Sequence, residues 1–291
     1  MESFILLLKA IVMGIVEGVT EFLPISSTGH MIIIDQFIGF SGNGAFSFSK
    51  EFVNLFEVVI QLGAILAIVV LYRKKILESF RTLKPGGFGF KLWIGIIIAT
   101  VPAGIVAVID KFLLEDHKTG RDPISTYMMN PWPVSLALVV GAVWMLYAER
   151  RYRKNDSCAH LENISYSQAF AIGIFQCIAM VWPGFSRSAA TIIGGWVMGL
   201  ATPTAAEFSF FLAIPAMIGA SGVDLVKNKL RLSGLEISVL VLGFVVAFVV
   251  ALIVVKKFIN FLKHKPMKGF AIYRLIVGGL LIVLALANVI R

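Results

Sequence analysis

Apolar residues fill this chain in long runs with few or no charges, such as Val239 to Val255 and Ile272 to Ile290. They do not follow the one-sided stripe of a soluble helix or the strict alternation of a half-buried strand. About 20 such residues, wound as a helix, cross a hydrocarbon core of roughly 30 Å. On that measure six segments read as full crossings, near 51–72, 91–110, 132–148, 204–226, 236–255 and 270–290. Residues 1–40 and 166–200 are also apolar but are broken in the middle, at Leu23-Pro24-Ile25-Ser26-Ser27-Thr28-Gly29 and at Trp182-Pro183-Gly184-Phe185-Ser186-Arg187-Ser188. Each broken region is read as a re-entrant helical hairpin. The pattern predicts an all-α integral membrane protein, a single domain over 1–291, with about six transmembrane helices plus two re-entrant hairpins.

Composition supports lipid as the main solvent: 58% of the 291 residues are apolar and only 15% are charged. A membrane β-barrel would instead show short alternating segments. The apolar run at the N-terminus carries Glu17 and Glu21 and has no basic leader, so a cleaved signal peptide is not expected. Cys158 and Cys177 have neither metal-ligand spacing nor an evident disulfide logic and read as bystanders.

The net charge of +9 does not point to nucleic acid, because the basic residues sit in short clusters beside apolar spans, where topology accounts for them. Segment 73–91 carries six Lys/Arg, 149–165 carries four, and Lys256, Lys257, Lys263, Lys265 and Lys268 form a third cluster. Placing these on the cytoplasmic side is consistent with six crossings only if each hairpin enters and leaves on one side, the first from outside and the second from the cytoplasm. Anionic lipid is the natural partner.

The broken regions also resemble each other. An offset of 159 maps Gly14 to Gly173, Glu17 to Gln176, Pro24 to Pro183 and Ser27 to Ser186, and a weaker echo at 150 maps Glu57 to Glu207 and Leu62 to Leu212. Three crossings separate the copies, and an odd number inverts the second. The expected architecture is an inverted-topology repeat, with halves near 1–110 and 160–255, whose broken helices meet around a binding site.

Candidate chemistry concentrates at those breaks. Glu17 and Glu21 lie one helical turn apart on one face. A lipid-facing charge costs about 2.5–3.5 kcal/mol at mid-bilayer. The pair is therefore expected to share a polar cavity, unless headgroups solvate it at the interface. Two carboxylates awaiting phosphate oxygens suit Mg²⁺. Ser26, Ser27 and Thr28, with Gly29, open a new helix, where free N–H groups and the dipole favour an anion and a hydroxyl can act as nucleophile. Simple capping is the plainer use of such residues. His30, three residues past Ser27, is a candidate general base or phosphate donor. In the second break Gly184 permits a turn, Ser186, Ser188 and Thr191 supply hydroxyls, and Arg187 is the lone charge between 166 and 200. Its guanidinium fork suits phosphate oxygens, although a headgroup could satisfy it too. Glu57, Gln61 and Glu207 either support the site or bond across helices, the latter being the reading for Gln61.

At these residues the sequence resembles the undecaprenyl pyrophosphate phosphatase family of the bacitracin-resistance type. The family's glutamate-rich helix and serine turn appear as EGVTEFLPISSTGH from Glu17 to His30, and its arginine turn as PGFSRSAAT from Pro183 to Thr191. FEVVIQLGAILA from Phe56 to Ala67 and AAEFSFFLAIPA from Ala205 to Ala216 extend the likeness over nearly the whole chain. The resemblance implies a divalent-cation-dependent (Mg²⁺ or Ca²⁺) hydrolase in the bacterial cytoplasmic membrane. It would remove the terminal phosphate of undecaprenyl pyrophosphate, recycle the lipid carrier for cell-wall synthesis and confer bacitracin resistance. It also favours a site on the outer face. A homo-oligomer is compatible with everything in the sequence. The rival expectation is a polyprenyl-phosphate flippase or ion-coupled transporter, since broken inverted repeats also build transport sites.

Overall fold

The computed structural model describes residues 2–42, 44, 46–110, 127–153, 158–227, 231–287 and 289–290. Lys154, one of the four basic residues of segment 149–165, lies outside the described residues.

Eleven α-helices are present among the described residues: α1 (Glu2–Thr20), α2 (Ser27–Ile38), α3 (Lys50–Leu71), α4 (Arg73–Arg81), α5 (Phe88–Ile109), α6 (Pro131–Tyr152), α7 (Tyr166–Val181), α8 (Arg187–Val197), α9 (Thr202–Lys227), α10 (Gly234–His264) and α11 (Lys268–Leu286). Their starts follow local chemistry. Ser49 caps α3 by accepting from the Phe52 N–H, and Ser165 with Gln168 and Ser233 with Glu236 close capping boxes on α7 and α10. Pro131 occupies the first turn of α6, where its missing N–H costs nothing.

Among the described residues, seven helices are long and apolar enough to cross a membrane: α1, α3, α5, α6, α9, α10 and α11. Six correspond to the expected crossings, all within a few residues except for the C-terminal end of α10, which runs further. The seventh is α1, assigned in the sequence to the first arm of a broken region. It qualifies because Glu17 comes only at its last turn, leaving a long apolar stretch before it. Helix α10 runs on to His264, through Lys256, Lys257 and Lys263 of the third basic cluster, because Phe258 and Leu262 stay buried on one face while the lysines remain outside. Helix α4 was not anticipated. Its Ser79 is buried and accepts a hydrogen bond from Trp93 Nε1 at 3.0 Å, which ties this basic segment to α5.

Helix α10 lies between α1 and α3, α6 packs on α11, and α5 packs on α7. Small residues make the closest approach feasible: a Cβ on Gly14 would meet the Gly243 carbonyl oxygen at 2.8 Å, and one on Gly18 the Ala247 carbonyl oxygen at 2.7 Å. Where lipid tails are as apolar as leucine, this close contact is what holds helices together.

Each broken region folds back on itself. Helix α2 ends at Gly39, whose carbonyl accepts from Lys9 Nζ at 2.7 Å, beside the second turn of α1. Past α8, the Gly199 carbonyl accepts from the Cys158 N–H at 3.1 Å and the Cys158 carbonyl accepts from the Ala201 N–H at 2.9 Å, so that α8 returns to the level at which α7 began. The two turns meet in the middle, where Ser188 Oγ donates to the Leu23 carbonyl at 3.0 Å.

Candidate functional site

The two turns have the same local construction. Ser26 and Ser186 are the non-glycine residues with positive φ among those described, at 72° and 76°. Each is an N-cap: Ser26 Oγ accepts from the Gly29 N–H and Ser186 Oγ from the Ala189 N–H. Left-handed backbone at a serine is costly and persists where surrounding structure imposes it. Counted from the caps, Ser26 matches Ser186 and Ser27 matches Arg187, which corrects the expected match of Ser27 with Ser186. The second turn has one more residue between its proline and its cap, so the offset changes from 159 to 160 within the motif.

Those first helical residues converge on one carboxylate. Ser27 Oγ donates to Glu21 Oε2 at 2.8 Å, and Arg187 Nη2 donates to Glu21 Oε1 at 2.8 Å, both partly buried. A second contact of Nη2, to Met217 Sδ at 3.6 Å, braces the guanidinium against α9. A cavity of about 280 Å³ opens here, lined by Glu21, Ser26, Ser27, Thr28, Gly184, Ser186 and Arg187, with Gln61 and Met217 on the walls. The starts of α2 and α8 both face it. Their first N–H groups have no partner within the helix and carry the positive end of its dipole.

Glu17 sits one turn back from Glu21, only 2% exposed, and its charged neighbours are Glu21, Glu57 and Arg187. Its Oε1 has no hydrogen-bond partner, and neither does the buried Arg187 Nη1. Buried unsatisfied polar atoms are rare and call for a ligand, ion or water. The donor set is narrow: among the described residues no three His, Cys, Asp or Glu side chains come close enough to form a metal cage. Two carboxylates with one vacant oxygen fit a hard cation that takes its remaining ligands from water and phosphate.

Not every expected site residue reaches the cavity. His30 turns away: its Nδ1 bonds the Ser26 carbonyl and its Nε2 the Tyr273 hydroxyl, both at 2.7 Å, with the two rings stacked. Gly29 spends its N–H on the cap and packs against Leu138, where a Cβ would come to 3.0 Å. Ser188 is spent on the Leu23 carbonyl, and Thr191 donates to Ser209 Oγ at 2.7 Å behind α8. These residues build the site's support rather than its lining. Glu207 is remote from it and pairs with Lys75 at 2.7 Å. Burial pushes the Cys158 thiol up, away from reactivity, in line with its reading as a bystander.

Two residues were misjudged or missed. Gln61, expected to bond across helices, lines the cavity instead. Arg274 on α11 escaped notice, although a lone arginine in an apolar crossing is itself a signal of function. It is fully buried and donates from Nη1 to the Pro24 carbonyl (3.3 Å) and from Nη2 to the Gly184 carbonyl (3.5 Å), one in each turn.

Fold and site together define a multi-pass membrane protein with a polar cavity at the starts of two helices. The chain belongs to the family described as "Bacitracin resistance protein BacA", which it matches over residues 10–280. It is 50% identical over 295 residues to a protein named undecaprenyl-diphosphatase from Clostridium novyi (strain NT), covering 100% of this chain and 99% of the relative. Proteins of the same name from Clostridium tetani and Caldanaerobacter subterraneus subsp. tengcongensis are each 46% identical, over 287 and 286 residues and 98% of this chain.

Proposed function

We propose that this protein is an undecaprenyl-diphosphatase that hydrolyses undecaprenyl pyrophosphate to undecaprenyl phosphate and inorganic phosphate, and so confers bacitracin resistance by consuming the lipid pyrophosphate. The observation that carries the mechanism is the shared carboxylate of Glu21, which accepts from the Ser27 hydroxyl on one oxygen and from Arg187 on the other. A serine bonded to a carboxylate in a partly buried pocket is a nucleophile beside its base.

In this reading the pyrophosphate lies between the starts of α2 and α8, held by Ser26, Thr28, Gly184 and Ser186 and by the free edge of Arg187. Gly29, Ser188 and Thr191 hold the turns that present those groups. Ser27 Oγ attacks the terminal phosphorus as Glu21 takes the serine proton. The bond to the bridging oxygen breaks, and undecaprenyl phosphate leaves with that oxygen. Water then attacks the phosphoserine, the serine regains a proton and inorganic phosphate departs. Arg187 and the helix dipoles stabilise the charge on the transferring group. A divalent cation at Glu17 and Glu21, Mg²⁺ or Ca²⁺, would supply further neutralisation of the phosphate oxygens. His30 becomes a positioning residue in this scheme, since both of its ring nitrogens are engaged beneath the Ser26 cap.

The site is read as opening to the outer side of the bacterial cytoplasmic membrane. Met129, just before α6, lines the cavity, while Arg150 and Arg151 lie at the opposite end of that helix. The return of α2 beside Lys9 and of α8 beside Cys158 supports two re-entrant hairpins, and the matched Ser26 and Ser186 caps support the inverted repeat. The covalent route is tested by acid-quenching the enzyme with labelled lipid pyrophosphate. Label on Ser27 is expected; a Ser27→Ala protein that hydrolyses at a near-normal rate would eliminate the nucleophile assignment.

A further inference from the structure

We propose that Arg274 is the fixed counter-charge of the pyrophosphate site, a positioning residue that acts on the substrate through the two turns it holds. The inference rests on the phosphatase reading above. The guanidinium is 0% exposed and its hydrogen bonds all go to backbone carbonyls: Leu138 at 3.3 Å, Ala137 at 3.2 Å, Pro24 at 3.3 Å and Gly184 at 3.5 Å. The Phe185 ring lies under it, 5.7 Å from Cζ to the ring centre. Among the described residues no carboxylate pairs with it, in contrast to Arg153 and Arg187.

A fully buried cation without an anion is expensive to keep, and mutual pairing is how proteins normally meet that cost. Carbonyl dipoles satisfy its N–H groups without cancelling its charge. A place for a compensating anion lies on the other side of the same turns, because Gly184 both accepts from Arg274 and lines the cavity. The Glu21 carboxylate offers no alternative compensation, being paired with Arg187. Bound pyrophosphate therefore completes the charge balance, while the bonds to the Pro24 and Gly184 carbonyls keep the Ser27 turn and the Arg187 turn in register and those to Ala137 and Leu138 anchor both turns to α6. Space for the guanidinium is built in: a side chain at Gly141 would bring its Cβ within 2.9 Å of Arg274 Cζ.

The test uses the full-length protein in detergent and compares wild type with R274Q and R274K. Thermal unfolding and elution profile report folding, and inorganic pyrophosphate is the probe, measured both as an inhibitor of lipid hydrolysis and as a thermal stabiliser. R274Q keeps donors for the carbonyls but has no charge. It is expected to bind pyrophosphate about tenfold more weakly, the scale of one charge acting through protein at this remove, with KM raised by a similar factor and kcat lowered less. R274K keeps the charge with fewer donors. Its pyrophosphate affinity should stay within about threefold of wild type while its thermal stability falls. A folded R274Q that binds pyrophosphate as wild type does would overturn the proposal. If R274Q does not fold, a tenfold loss of pyrophosphate affinity in R274K overturns it as well. Failure of wild type to hydrolyse the lipid would instead break the phosphatase reading, a separate outcome.

Discussion

Glu21 and Arg187, 166 residues apart in sequence, face one another at 2.8 Å and form the one ion pair that joins the two broken regions among the described residues. The same carboxylate holds Ser27 through its other oxygen. In the proposed mechanism, electrostatic stabilisation and nucleophile orientation therefore pass through a single side chain. Replacing Arg187 with lysine keeps a charge but loses the planar fork. Arg187→Lys and Glu21→Gln are each expected to lower kcat by about 10²- to 10³-fold. The double substitution should cost far less than the product of the two, because both remove one unit. Steady-state phosphate release across the four proteins measures this, and additive losses would separate the two roles.

His30 provides a sharper discrimination. With both ring nitrogens engaged by the Ser26 carbonyl and Tyr273, it acts in the proposed mechanism as a support of the cap and not as the proton acceptor. His30→Gln and Tyr273→Phe should each reduce kcat by roughly tenfold, leaving the shape of the pH–rate profile unchanged. Loss of a titrating limb in His30→Gln alone would return the histidine to the role of base.

The serine caps carry a backbone prediction. Ser26 and Ser186 hold positive φ, so glycine relieves the strain while forgoing the cap bond. Ser186→Gly should therefore leave thermal stability nearly unchanged, and Ser186→Val should destabilise by about 1–3 kcal/mol and lower activity. Equal stability of the two variants in a detergent melting assay would contradict the strained-cap account.

Helix packing yields a test remote from the chemistry. Gly18 lets α1 approach α10 so closely that an added Cβ would lie 2.7 Å from the Ala247 carbonyl oxygen and 2.8 Å from Val250 Cβ. Gly18→Val must push the helices apart, with an expected cost of about 1–3 kcal/mol and a lower melting temperature. The neighbouring Glu17 should be disturbed with it, so activity is expected to fall too. A variant with wild-type melting would mean that this contact is looser than described.

Much of this architecture was legible because lipid imposes simple length and charge rules, and the six long crossings follow directly from them. What escaped follows from the same rules. Helix α4 is too short and too basic to register as a crossing, and is recognisable only from its buried Ser79 and its bond to Trp93. The residues of both turns were visible as isolated polar groups in apolar surroundings, yet sequence could not divide those lining the cavity from those holding it. That division depends on where the residues after each helix start point, which placed Thr28 inside and turned Gly29, His30 and Thr191 behind. Arg274 was hidden by the length of its helix, because one charge does not disqualify a crossing.

The central claim is hydrolysis at the Glu21–Arg187 junction, and the most direct measurement is phosphate release from a C55 or shorter prenyl pyrophosphate by purified protein, with and without Mg²⁺ or Ca²⁺, beside Glu21→Ala and Arg187→Ala. The account predicts cation-dependent release by the wild type that both substitutions abolish. Well-folded wild-type protein that releases no phosphate in detergent, where transport between compartments cannot occur, would contradict it and favour a lipid carrier.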